Sequence, residues 1–181
     1  MKILLTGFKR YATHDINPSE EVIKAIALPE SKKVVLDVSY KNSIAELKKE
    51  IKAYKPDVII AMGLSPYRSE PTMEQYAYNE MRSIQPDETG VLENDGKPLV
   101  KEGPASLRTN ADLSRIEQVL AAQGVSASIS IDPGRFVCNA VYYTALNSGI
   151  PAVFVHLPLL KDCPLEDDIA AIEAIAAYFR S

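Results

Sequence analysis

Residues Asp57-Val-Ile-Ile-Ala-Met62 form an uninterrupted apolar run of strand length, bounded by Pro56 and Gly63. A strand with no polar alternation has no face to give to water, so it must lie inside a sheet covered on both sides. The chain around it supplies the covers. Just upstream, Ile44, Leu47, Ile51 and Tyr54 recur at helical spacing, on a helix expected to begin at Ser43 with Glu46 and to stop at Pro56. Downstream, Leu113, Ile116 and Leu120 mark a helix closed at Gly124, and Leu165, Ile169, Ile172, Ile175 and Phe179 share one stripe near the C-terminus.

The remaining segments extend the same alternation. Residues 2–5 read as a short first strand, and 34–38, 125–131 and 151–155 as further strands. Asn17-Pro18-Ser19-Glu20 is a helix start, with Asn17 as cap, Pro18 in the first turn and Glu20 completing a capping box. Within 70–81, Thr72, Glu74, Tyr76 and Tyr78 alternate with Met73, Gln75, Ala77 and Asn79, which predicts one extended strand with Glu74 beside the tyrosines. Residues 86–109, rich in Asp, Glu, Gly and Pro, read as a long excursion of the kind that often carries function. Strand–helix alternation over the whole length predicts one α/β layered domain, residues 1–181, with a mostly parallel sheet. Ligands then belong at the carboxyl ends of the strands.

Composition removes several classes of function. A formal charge of −4, with basic residues only briefly clustered at Lys32-Lys33 and Lys48-Lys49, gives no electrostatic footprint for nucleic acid. No segment has the length to span a bilayer, and the apolar run at the N-terminus is too short for a signal peptide. Two cysteines without framework spacing fit reduced thiols in the cytoplasm. Two histidines and no suitable cysteine pair leave no zinc pattern, and neither a dinucleotide nor a phosphate-loop fingerprint is present. No metal and no cofactor are expected.

What chemistry the chain carries centres on Phe136-Val-Cys138-Asn139. Asp132-Pro133-Gly134 ends the strand before it, and residues 138–147 read as an apolar helix. A thiol at a helix start meets unpaired N–H groups and the positive end of the dipole, a setting that favours thiolate. His156, ending the next apolar run, is the candidate base; the other histidine, His14, sits in a polar loop beside Asp15. Gly7-Phe8, residues 63–68, residues 134–138 and His156 all follow expected strands, so a parallel sheet would bring them to one edge. Cys163, before Pro164 at the last helix, reads as structural.

These residues are similar to those of pyroglutamyl peptidase I, a family of cytosolic cysteine peptidases with a Cys-His-Glu triad. Thr6-Gly7-Phe8 with Asn17-Pro18-Ser19 resembles the family's N-terminal segment. Gly63-Leu-Ser-Pro-Tyr-Arg68-Ser, Thr72-Met-Glu74 and Ala77-Tyr-Asn79 resemble its glutamate motif, Pro133-Gly-Arg-Phe-Val-Cys138-Asn139 its cysteine motif, and Val155-His156-Leu157-Pro158 its histidine motif. The resemblance implies Cys138 as nucleophile, His156 as base and Glu74 as the orienting carboxylate. It also implies Phe8 and Tyr11 around a pyroglutamyl lactam, and Arg68 as an active-site arginine. The implied fold is a three-layer α/β/α sandwich of the kind shared with nucleoside phosphorylases. The implied substrate is a small peptide with a pyroglutamyl N-terminus, and the implied assembly a homodimer or homotetramer.

The chain departs from the family pattern in places. Arg10-Tyr11-Ala12-Thr13 stands where the family has Pro-Phe-Gly-Gly, and the Tyr11 hydroxyl needs a partner that phenylalanine would not. Gln75 and Tyr76 follow the glutamate, and Pro133 precedes the glycine of the cysteine motif. Two other readings stay open on the sequence. One is a non-catalytic or re-specialised binder of cyclic amides or peptide N-termini. The other is a phosphorolytic transferase, for which Arg10, Arg68 and Arg135 would have to build a phosphate site.

Overall fold

Strands and helices alternate through the computed structural model, which describes residues 1–12 and 14–181. In chain order they are β1 (Ile3–Phe8), α1 (Pro18–Ala25), β2 (Ser31–Leu36), α2 (Tyr40–Tyr54), β3 (Val58–Leu64), β4 (Thr72–Glu74), β5 (Tyr76–Tyr78), β6 (Ser106–Arg108), α3 (Leu113–Ala122), β7 (Ser128–Ser130), α4 (Val137–Asn147), β8 (Ala152–Leu157) and α5 (Leu165–Arg180). Six strands form one sheet in the order β2-β1-β3-β8-β4-β7, and β5 pairs with β6 beside it. β2, β1, β3 and β8 run parallel, as expected. β4 enters antiparallel to β8, and β7 runs parallel to β4.

The apolar run at 58–62 lies in the sheet's interior, with every residue from Val58 to Met62 buried. Its alternate side chains feed two cores. Ile60 and Met62 meet α1, α3 and α5 on one face, through Val22, Ile116 and Ile172 among others. Ile59 and Ala61 meet α2 and α4 on the other, through Leu47, Ala140 and Val141. The result is the α/β/α sandwich. Each fully buried Ile or Leu contributes about 1.5–3 kcal/mol of transfer free energy, so the strand with no polar face is also the one that anchors both layers.

Five local expectations need correction. α2 begins at Tyr40 with Ser39 as its cap, not at Ser43; Ser43 lies inside the helix and donates its hydroxyl to the Ser39 carbonyl. The earlier start has a distant cause. The Asp87 carboxylate accepts the Tyr40 N–H, one of the donors a helix start leaves unpaired. Asn17 caps α1 by accepting the Ser19 N–H, but Glu20 closes no capping box, because its carboxylate takes Lys24 and the Arg10 N–H instead.

β2 begins at Ser31 rather than at residue 34, in register with Ile3, and puts lysines on an edge strand where they block further pairing. The strand expected over 125–131 contracts to Ser128–Ser130. The single strand expected over 70–81 is two. β4 belongs to the main sheet and β5 to the small one, with the break at Gln75, whose N–H and C=O bond to Ser130 and Thr109. Glu74 therefore lies buried in the main sheet, and not in a row with Tyr76 and Tyr78. The excursion after Pro86 returns as β6.

Cys163 is buried at the start of α5, as its structural reading anticipates. Beside it, Asp168 is fully buried, and neither carboxylate oxygen has a hydrogen-bond partner among the described residues. Burial pushes its carboxyl up to about 7, against a pull down from Cys163 and a push up from Asp167. In the unfolded chain the group ionises near 3.8. Between those two values the unfolded state loses its proton first, so stability is highest below pH 4 on this account and falls until about pH 7. Asp168→Asn should therefore raise the melting temperature by several degrees at pH 8, and the gain should vanish near pH 4. Thermal melts at the two pH values check it.

Candidate active site

The closest approach in the site depends on a missing side chain. A Cβ on Gly63 would sit 2.7 Å from Cys138 Sγ and 3.1 Å from Phe154 Cζ. The bare glycine on β3 therefore lets the start of α4 drop onto the sheet, with the sulfur lying directly on the strand. Gly63 is also the register partner of His156 on β8. The sulfur thus lies over the strand next to the one that carries the imidazole, and Cys138 and His156 line one cavity. Cys138 is the second residue of α4, and Phe136, at the N-cap, supplies no side-chain hydrogen bond, so the first N–H groups of the helix are not claimed by a cap.

His156 is tied from behind. Its Nδ1–H donates to Glu74 Oε1 at 2.8 Å, which leaves Nε2 as the acceptor nitrogen. In the antiparallel β4–β8 pairing Glu74 stands opposite Phe154, not opposite His156. The bond is a diagonal one, with the imidazole lying edge-on over the Phe154 ring at 4.9 Å. Glu74 Oε1 also accepts from Arg68 at 3.4 Å, and the same guanidinium nitrogen donates to Ser130 Oγ at 2.9 Å. The Tyr142 hydroxyl donates to the Glu74 carbonyl at 2.8 Å and holds the strand end in place.

Every site residue expected from sequence faces or supports this cavity of about 480 Å³. Cys138, His156, Phe8, Tyr11 and Arg68 line it, and Glu74 stands behind the histidine. Phe8 is fixed by the Asn-Pro-Ser turn, since Ser19 Oγ accepts the Phe8 N–H at 2.9 Å and donates to Asn17 Oδ1 at 2.8 Å. Tyr11 packs on Phe136 and finds the partner its hydroxyl needs in the Pro86 carbonyl. Thr13, in the same loop, lies outside the described residues.

Sequence reasoning missed several supports. His14 lines the cavity rather than standing apart in a polar loop. Asn139 is fully buried and clamps α4 to β5, accepting the Tyr78 N–H and donating to the Tyr78 and Glu80 carbonyls. Asp87 gathers the N–H groups of Tyr40, Thr89 and Val91 into the outer wall. A polar residue at the start of an otherwise apolar helical segment is the sequence signal for the Asn139 clamp. Asp87 offered none.

The electrostatic expectation for Cys138 reverses. Burial pushes its thiol up to about 12, the Glu74 charge adds to that, and the favourable pull of its own backbone N–H is the weaker effect. Burial at this position thus favours the neutral thiol over the thiolate. Alkylation of Cys138 by iodoacetamide, followed by peptide mass spectrometry, should keep accelerating beyond pH 9; a plateau below pH 8 would contradict this. Gly63→Ala should cut any turnover by about 100-fold or more, since misplacing a reacting atom by an ångström costs that much. Circular dichroism should show the fold kept.

Comparison with known proteins shows the family and the fold. The chain is 33% identical over 177 residues to a pyrrolidone-carboxylate peptidase of Bacillus velezensis, covering 91% of this chain and 81% of that one. Its structure matches the pyrrolidone carboxyl peptidase of Thermococcus litoralis with a TM-score of 0.91 at 27% identity, over 98% of this chain and 92% of the other. It matches the pyroglutamyl peptidase I of Bacillus amyloliquefaciens with a TM-score of 0.89 at 28% identity, over 98% and 95%. A model of the pyroglutamyl peptidase family fits residues 1–175, and the chain belongs to that family.

Proposed function

We propose that this chain is a cysteine peptidase that removes an N-terminal pyroglutamyl residue from peptides, acting as one domain over its whole length. The observation that carries the reading is the placement of Cys138 Sγ on Gly63, beside a histidine whose Nδ1 is held at 2.8 Å by a buried carboxylate. Cys138 attacks the carbonyl of the pyroglutamyl residue while His156 Nε2 takes the thiol proton. The tetrahedral oxyanion is met by N–H groups at the uncapped start of α4. The C–N bond breaks, the leaving amine takes the proton from His156, and a thioester remains. Water activated by the same nitrogen then releases free pyroglutamate and restores the thiol. Glu74 keeps the imidazole in the required tautomer and balances the charge it gains.

The acyl pocket is consistent with a lactam. Phe8, Tyr11, Val38 and Phe136 offer apolar walls, and a cyclised N-terminus brings no ammonium to be solvated. Phosphorolysis is disfavoured by two of the three arginines it would need. Arg68 is bound to Glu74 and Ser130, and Arg135 to Glu80 and Asp132. The cytoplasm is the compartment that fits two free cysteines, one of them the proposed nucleophile.

Release of a fluorophore from its pyroglutamyl conjugate tests the reading. Wild-type protein should turn it over and Cys138→Ala should not. Glu74→Gln should lower kcat by 100-fold or more, since a mis-set tautomer in such a triad can cost up to about 10⁴. Binding of the conjugate without turnover by wild type would mark a binder instead.

A further inference from the structure

The order of strands across the sheet gives the cleft two sides. β1 and β2 lie on one side of the β3–β8 pair that bears Gly63 and His156, and β4 and β7 lie on the other. Phe8, at the end of β1, and Val38, just past β2, wall the first side. The second side is built differently. Arg68, in the loop after β3, reaches Ser130 at the end of β7, and this bond joins the loops at 65–68 and 130–134. Each of those loops carries a large apolar side chain left in water. Tyr67 is 94% exposed and lines the cavity, and Ile131 is 64% exposed between Ser130 and the cavity-lining Asp132. Pro66 and Pro133, also lining the cavity, stiffen the two loops.

Chemistry assigns the sides. The histidine must hand its proton to the departing amine, so the leaving group lies on the His156 side of the sulfur, towards β4 and β7. The cavity of about 480 Å³ is also far larger than a five-membered lactam needs. We infer that Tyr67 and Ile131 form a second subsite, which receives the side chain of the residue following pyroglutamate and favours a bulky apolar one. Single exposed apolar residues are ordinary on a protein surface. Two on loops tied together at the mouth of a reactive cleft, on the side where the product amine departs, form a surface a substrate can cover. The inference rests on the pyroglutamyl reading and adds to it a preference for the leaving residue.

The test compares pyroglutamyl-phenylalanine amide with pyroglutamyl-alanine amide. Wild type should show kcat/KM about tenfold higher for the phenylalanine substrate, the low end of what apolar burial in a specificity pocket gives. Tyr67→Ser and Ile131→Ser should each bring the ratio of the two rates towards one; a ratio within one protein is insensitive to how much of it is folded. Equal wild-type rates, or a ratio unmoved in both variants, overturns the subsite while leaving the pyroglutamyl reading intact. No turnover of either peptide by wild type overturns both. Sedimentation velocity adds a last outcome: an assembly that dissociates in Ile131→Ser, with the ratio unmoved, would make the patch a contact between copies and overturn the subsite.

Discussion

The site rests on the contact between a sulfur and a strand that has no side chain to keep it away. β3 is buried on both faces, and helices packed on such a strand normally stand off by the depth of its side chains, near 10 Å between layers. At Gly63 that spacing collapses locally, and the first turn of α4 comes down until Sγ would leave only 2.7 Å for a Cβ. Three consequences follow from one absent methyl group. The sulfur is brought beside the strand that carries His156, the helix start faces the cleft, and the thiol is desolvated. The last of these works against ionisation. A chain that needed a standing thiolate would have kept the sulfur wetter or nearer a cation. The proposed mechanism instead has a base draw the proton at the moment of attack.

That requirement explains the effort spent on Glu74. A carboxylate with no exposure is costly unless other groups satisfy it. One oxygen takes both the His156 ring and Arg68, and the other has no partner among the described residues. Arg68 is in turn held by Ser130, so the base is positioned by a series of bonds running from β8 to β4 to β7. Strand direction makes this possible. Because β4 runs against β8, Glu74 reaches the imidazole diagonally from inside the sheet rather than from a loop at its edge.

The same feature marks the limit of what the sequence disclosed. Cys138 and His156 were legible because their signals are local: a strand-ending turn before an apolar helix, and a histidine closing an apolar strand. The layered architecture followed from apolar periodicity, and the run at 58–62 pointed to the centre of the sheet. Glu74 was legible only through the family motif, since its role depends on pairing with a strand about eighty residues away. The start of α2 was misread for a similar reason. Ser43 with Glu46 is the better local signature, but Asp87 arrives from the excursion to take the Tyr40 N–H and moves the start upstream. The break at Gln75 is also set from outside, by partners at Ser130 and Thr109. Local pattern failed where a distant segment supplied a hydrogen-bond partner.

The departures from the family motif at residues 10–12 fall on the acyl side of the cleft and share one physical character. Where the family places glycines, whose freedom lets a loop follow its ligand, this chain ties its wall down with side chains. Tyr11 bonds to the Pro86 carbonyl, Lys9 bridges Asp37 at 2.8 Å and Glu88 at 3.2 Å, and Glu88 and Asp87 bond to the backbone at Val38 and Tyr40. Segments around residues 9–11, 37–40 and 86–91 are thereby fastened to one another beside the cavity. Exposed ion pairs contribute little singly, but a cluster that also claims backbone donors removes alternative arrangements of the wall. The strands holding His156 and Glu74 are outside that cluster, but the helix bearing Cys138 is joined to it: Phe136, the N-cap of α4, packs on both Tyr11 and Tyr40, and the Tyr40 hydroxyl donates to the Arg135 carbonyl at 3.0 Å. A change in how the wall is supported therefore reaches the start of α4 before it reaches the strands.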